Sequence, residues 1–166
     1  MRIRLGEITI FTTMHPDAKD YFDVNNNLLQ ICQKLKDPNK RLQQLEVTLM
    51  SPFRPHLADR PPLSKILDEM GDEFYIETKY DGERCQLHKQ GDRFRFFSRN
   101  GFDFTCDYGE SKDDVGKFSH VISRCLDSNV NDIILDGEMC AWSKVDNCLL
   151  QQSEQFNIRQ LSDDDA

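Results

Sequence analysis

Hydrophobic and polar positions follow two different rhythms along this chain. Over residues 23–37 the apolar side chains Leu28, Leu29, Ile31, Cys32 and Leu35 recur at helical spacing, with Asn25 or Asn26 as a cap and Pro38 as a stop. Residues 11–20 show no clear period. Residues 45–50 read as a short strand. Four prolines (52, 55, 61 and 62) then fall within eleven residues, so residues 51–62 are expected to form an extended linker. A short helix over 63–70 opens just after the prolines and ends at Gly71.

From residue 74 the period shortens. Residues 74–79 (Phe-Tyr-Ile-Glu-Thr-Lys) predict a strand, with a turn at Tyr80-Asp81-Gly82. Residues 84–89 and 93–98 predict a hairpin closed by Gln90-Gly91-Asp92. Asn100-Gly101 signals another turn. Val115, Phe118, Val121, Ile122, Cys125 and Leu126 mark one face of an amphipathic helix. Ile133, Ile134 and Leu135 read as a buried strand, followed by a turn at Asp136-Gly137. Residues 148–150 predict a last short strand, and the polar tail 162–166 is expected to fray. The fold class predicted is α+β: a helical piece over 1–50, a proline-rich linker and short helix over 51–70, and an antiparallel sheet domain over 71–166.

Composition narrows the classes. The chain has 166 residues, 38% hydrophobic and 30% charged, with 11 Phe and 4 Tyr, which is enough to build a core. No run approaches the ~20 apolar residues of a membrane span, so no membrane partner is expected. The N-terminus does not read as a signal peptide. The six cysteines form no CxxC pair and are expected to be reduced thiols. The four histidines are scattered, and no zinc site is assigned. The net charge of -8 argues mildly against nucleic acid. Its distribution changes that picture. Residues 79–101 carry six basic side chains against three acidic ones, whereas residues 102–166 carry five against fourteen. A phosphate responds to the local sign, not to the average.

The most specific string is Lys79-Tyr80-Asp81-Gly82-Glu83-Arg84. A K-x-D-G match arises by chance about 0.03 times in a chain this long, and with Arg two residues later roughly 0.002 times. A plain surface turn is the alternative reading. A lysine at the end of an apolar strand has a fixed stem and a partly desolvated amine, which favours nucleophilic chemistry. Gly82 would let a phosphate or nucleoside approach the backbone.

With Phe97-Ser98-Arg99-Asn100-Gly101 and Leu135-Asp136-Gly137-Glu138-Met139, this string resembles the ordered motifs of the covalent nucleotidyltransferases. Those are the ATP-dependent DNA ligases, RNA ligases and mRNA capping enzymes. The approach Ser51-Pro52-Phe53-Arg54-Pro55-His56-Leu57-Ala58, the helical start and Phe156-Asn157-Ile158-Arg159 bring it nearest to the ATP-dependent DNA ligases, in the branch that serves non-homologous end joining. The resemblance implies the end of a helical DNA-binding domain followed by the first half of an adenylation domain. It implies Lys79 as the catalytic nucleophile on ATP. Glu77, Thr78 and Tyr80 would line the nucleotide pocket, and Arg84 and Arg99 would contact ribose and phosphate. Glu138 would contact the ribose or Mg²⁺, the expected metal. Broken double-stranded DNA, a coiled-coil end-joining scaffold partner and a nuclear location follow from the same likeness.

Phe97 and Phe102 are read as core, and Arg93 and Arg95 as solvated hairpin positions. The family's second carboxylate and its downstream lysine pair have no match here. Lys34-Leu35-Lys36 precedes the nucleophile, and Gln151-Gln152 stand where the resemblance suggests a lysine. A piece of a ligase with half its active site is therefore expected, together with its scaffold-binding region missing. Two alternatives remain: an inactive fragment that acts only by binding, and an RNA ligase or capping-type enzyme.

Overall fold

The computed structural model describes residues 11, 13–55 and 58–150. The segments 156–159 and 162–166 and the glutamines at 151 and 152 lie outside the described residues. Two hydrophobic clusters organise the chain. The first gathers Phe11, Ala18, Tyr21, Phe22, Ile31 and Leu35. It is built by helices α1 (Ala18–Val24) and α2 (Leu28–Lys34). The helical pattern expected over 23–37 is therefore two helices broken at residues 25–27. Asn27, not Asn25 or Asn26, caps α2, its side chain accepting from the Gln30 amide at 3.2 Å. Asn25 is fully buried and does something else. Its amide donates to Gln30 Oε1 (2.6 Å) and Thr48 Oγ1 (3.1 Å), and its oxygen accepts from Ser51 Oγ (2.8 Å).

The second cluster is the sheet core. Strands β1 (Glu83–Gln90), β2 (Arg93–Ser98) and β3 (Asp132–Met139) form an antiparallel sheet in the order β2-β1-β3. The β1–β2 register runs from Cys85↔Ser98 to Gln90↔Arg93, closed by Gly91 at φ 58°, a conformation glycine adopts without strain. On one sheet face Leu87, Phe94 and Phe96 are buried against Tyr108 of α4 (Thr105–Tyr108). Phe118 and Ile122 of α5 (Phe118–Cys125), with Leu126, cover the same face. Burying each Phe contributes about 1.5–3 kcal/mol. Only part of the expected amphipathic face is used, because Val115 and Val121 are exposed and Val115 precedes the helix. Helix α3 (Leu63–Met70) matches its expected bounds, and a two-stranded ladder pairs β4 (Trp142–Ser143) with β5 (Cys148–Leu149).

Five sequence expectations fail where the presence or absence of a tertiary partner outweighs local preference. Residues 45–50 and 74–79 form no strand, and every residue from 71 to 81 is exposed. The Ile133–Leu135 stretch is half-buried to exposed, since among the described residues β3 lies at the edge of the sheet. Asp136-Gly137 does not turn. It stays in β3 because Gln86 and Cys85 of β1 pair with it across the ladder. Phe97 is buried as expected, but Phe102 is 66% exposed.

A strap over residues 50–54 joins the two clusters. The Met50 amide donates to His88 Nδ1 (3.1 Å). The Gln86 side chain pairs with both backbone groups of Phe53, accepting at 3.3 Å and donating at 2.7 Å. On the helical side, the Asn26 amide donates to the Pro52 carbonyl (2.9 Å) and the Arg54 amide to that of Asp23 (2.7 Å). Among the described residues, no helix is long and apolar enough to cross a membrane.

Candidate active site

Successive residues of a strand point to opposite faces, so Arg84, Gln86 and His88 of β1 share one face. Gln86 and His88 lie buried under the strap, and Arg84 emerges beyond its edge. There an open cleft of about 1130 Å³ begins. Four stretches of chain meet on its walls: residues 77–84, the end of β2 with its following turn, the second half of β3, and Ala58.

All seven residues singled out from the motifs line this cleft: Glu77, Thr78, Lys79, Tyr80, Arg84, Arg99 and Glu138. Their settings differ. Residues 77–80 stand on exposed chain without strand pairing. The expectation that a strand fixes the Lys79 stem and partly desolvates its amine is therefore corrected. Lys79 is exposed and free of ion pairs among the described residues. Gly82 lines the cleft, and a Cβ there would lie 2.2 Å from the Met139 carbonyl oxygen, so the glycine also lets residue 82 pass close to the end of β3.

Arg84 is the ordered cation of the site. Its Nε donates to Asp136 Oδ1 at 2.8 Å and its Nη2 to Oδ2 at 2.5 Å, a two-pronged pair. Asp136, with lesser help from Glu138, raises the guanidinium pKa above its already high ordinary value. Glu138 faces Arg84 directly across the β1–β3 ladder. It has no hydrogen bond or ion pair from its carboxylate among the described residues.

Arg99 occupies a turn built by Ser98. The Ser98 hydroxyl accepts from the amides of Asn100 (3.3 Å) and Phe102 (3.1 Å). The Ser98 amide donates to the Phe102 carbonyl at 2.9 Å, and Gly101, at φ 78°, returns its amide to the Ser98 carbonyl. Arg93 and Arg95 are not simply solvated. They pair with Glu110 (2.7 Å) and Asp103 (3.0 Å).

Sequence reasoning missed Asp136, Ser98 and Asp103. Asp136 carried a usable signal, because it lies two residues before Glu138 and so shares its strand face. Reading Asp-Gly as a turn hid it.

Three cations and five carboxylates line the cleft, so its own walls are net acidic. Two thiols lie near. Cys85 is pushed up to about 11 by burial, with Asp136 and Glu83 adding to the effect. Burial, Glu138 and Asp81 also raise Cys140. Both remain neutral thiols at pH 7, with little of the thiolate that acts as nucleophile. Among the described residues, no group of three or more His, Cys, Asp or Glu side chains converges on a metal position.

Residues 55–165 match the family model described as the ATP-dependent DNA ligase domain. The chain belongs to the ATP-dependent DNA ligase family. Over 99% of its length it is 38% identical to DNA ligase 4 of Gallus gallus and 35% identical to DNA ligase 4 of Homo sapiens. It is also 39% identical, over 87% of its length, to DNA ligase 4 of Coprinopsis cinerea. The chain spans less than a fifth of the length of these relatives, 14–18%. Family membership agrees with the likeness read from the three motifs. The mixed helical and antiparallel architecture is consistent with part of such a domain.

Proposed function

We propose that the cleft binds ATP and that Lys79 takes its adenylyl group, the first step of DNA strand joining. One observation carries this reading. Seven residues chosen from three separate motifs line a single cleft. The Lys79 Nζ, once its proton has passed to solvent, attacks the α-phosphorus. An N–P bond forms, the bond to the bridging oxygen breaks, and pyrophosphate leaves. Arg84, held by Asp136, and Arg99 on its Ser98-braced turn would set the phosphate and ribose, since a fixed guanidinium fork suits oxyanions. Glu77, Thr78 and Tyr80 would flank the nucleotide.

An acidic cleft repels a polyanion, so a cation must enter with it. The Glu138 carboxylate is a hard oxygen donor and would hold Mg²⁺. That ion takes few protein ligands and relies on the phosphates for others. When bound, it neutralises charge that develops on the phosphates. Transfer of AMP to a 5′-phosphate at a DNA break, and attack by a 3′-hydroxyl, would complete joining. By likeness to the DNA ligase 4 relatives, we assign this chemistry to double-strand break repair by end joining, in the nucleus. The helical piece would be the end of a DNA-binding domain. A coiled-coil scaffold partner would bind regions of the relatives that have no counterpart in this sequence.

The test is covalent labelling. The chain, extended through the rest of a relative's adenylation domain, is incubated with α-labelled ATP and Mg²⁺ and then denatured. Wild type is expected to retain label, and Lys79→Ala and Lys79→Arg are expected to retain none, because a guanidinium stays protonated. Label persisting in Lys79→Ala would refute the nucleophile assignment.

A further inference from the structure

Phe102 is the feature of the cleft that nucleotide chemistry leaves unused. Aromatic neighbours on the same hairpin are covered: Phe94 and Phe96 are fully buried, and Phe97 is 3% exposed against His88, ring to ring at 5.1 Å. Phe102 lines the cleft and is 66% exposed. It is not on slack chain. Its amide and carbonyl are both bonded to Ser98, and the next residues are tied to β2 by the Phe97↔Asp103 bridge and the bond from the Phe104 amide to the Phe96 carbonyl (2.8 Å). A phenyl ring displayed on a braced turn has lost the freedom to fold back onto the core. It gains only when something flat and apolar covers it.

The same turn presents Arg99 three residues earlier, with its side chain free of ion pairs among the described residues. A cation and an open ring on one turn are the combination that tracks a nucleic-acid strand, phosphate to one and base to the other. The cleft also has room to spare. At about 1130 Å³ it exceeds the ~300–1,000 Å³ usual for a single small ligand.

We infer that Phe102 is a stacking platform for a nucleotide of the broken DNA strand, seated beside the ATP-binding part of the cleft. This rests on the reading of the cleft given above and adds a DNA contact to it. Because base stacking is sequence-tolerant, Phe102 would hold any strand end.

The experiment uses the whole chain, a nicked duplex with 2-aminopurine next to the 5′-phosphate at the nick, and ATP with Mg²⁺ in a separate titration. Wild type is expected to bind both and to quench the 2-aminopurine. Phe102→Ala should raise the Kd for the duplex about tenfold or more and remove the quenching, the range expected for losing one stacked base. Phe102→Trp should restore both. The loss should fall on DNA and change ATP affinity less than twofold. Equal duplex binding by wild type and Phe102→Ala would overturn the proposal. So would a loss of ATP affinity as large as the loss for DNA, which would give the ring to the nucleotide instead. A wild-type chain that binds ATP but not the duplex overturns this proposal and leaves the ATP reading standing. A chain that binds neither overturns both.

Discussion

The β1–β2 hairpin and the stretch from 71 to 81 adjoin in sequence and differ in nearly every physical respect. The hairpin has a six-pair register, a glycine in the left-handed region at its tip, and two fully buried phenylalanines under a helix. The stretch before it has a strand-like composition but no ladder, and Tyr75 and Ile76 are 94% and 89% exposed. The difference teaches what each owes to its neighbours. A hairpin supplies its own partner within a few residues. A lone strand-former must find one elsewhere, whatever its propensity. Arg84 and Ser98 sit on the first kind of chain, and Lys79, the proposed nucleophile, sits on the second.

That contrast can be broken at its strong side first. Phe96→Ala should destabilise the sheet region by about 3–5 kcal/mol, as for truncation of a fully buried aromatic. Urea unfolding followed by the near-ultraviolet signal of the tyrosines would measure it. A loss under 1 kcal/mol would show that the hairpin core does not anchor this region. Gly82→Ala tests the hinge between the two kinds of chain. A methyl 2.2 Å from the Met139 carbonyl must push residue 82 away from β3. About 1–3 kcal/mol of destabilisation is expected, typical of overpacking. Adenylation should also fall, because Lys79 is only three residues away.

A pH titration sharpens the comparison on the hairpin side. Burial lowers His88 from 6.5 to about 4, with Asp136 opposing weakly. The unfolded chain therefore binds the extra proton first. His88 contributes no pH penalty above about 6.5. Stability should fall as pH drops from 6.5 towards 4, and this contribution should level off below 4. Thermal melts of His88→Gln, whose carbonyl can still accept from Met50, should show a shallower slope across that window. The smallest effect belongs to the exposed stretch. Ile76→Ala should move stability by no more than about 0.5 kcal/mol. A larger loss would mean that residues 71–81 are packed in solution.

How much of this was readable from residues alone follows the same division. The hairpin and α3 were legible nearly to the residue, because turn glycines, prolines and alternation act locally. The cleft was legible as a set of motif residues, although their meeting in space was not. What stayed hidden needed a partner to be known. Asp136-Gly137 carries a strong turn signal, but pairing with β1 overrides it. The role of Asp136 as the anchor of Arg84 disappeared with that error. Phe102 has the composition of a core residue, and only the Ser98 turn reveals that it points elsewhere. Asn25 has the chemistry of a cap, yet burial makes it a three-way junction.

The strap has a consequence of a different kind. Its bonds switch sides along the chain: Met50 to the sheet, Ser51 and Pro52 to the helices, Phe53 to the sheet, Arg54 to the helices. It works as a running stitch, each residue addressed to one fabric or the other. Such a seam tolerates changes of side chain better than changes of length. One residue inserted between Pro52 and Phe53 would exchange every later address. It would offer a neighbour's backbone to Gln86 and draw the two layers out of alignment. Over evolutionary time the strap should vary in spelling and hold its count.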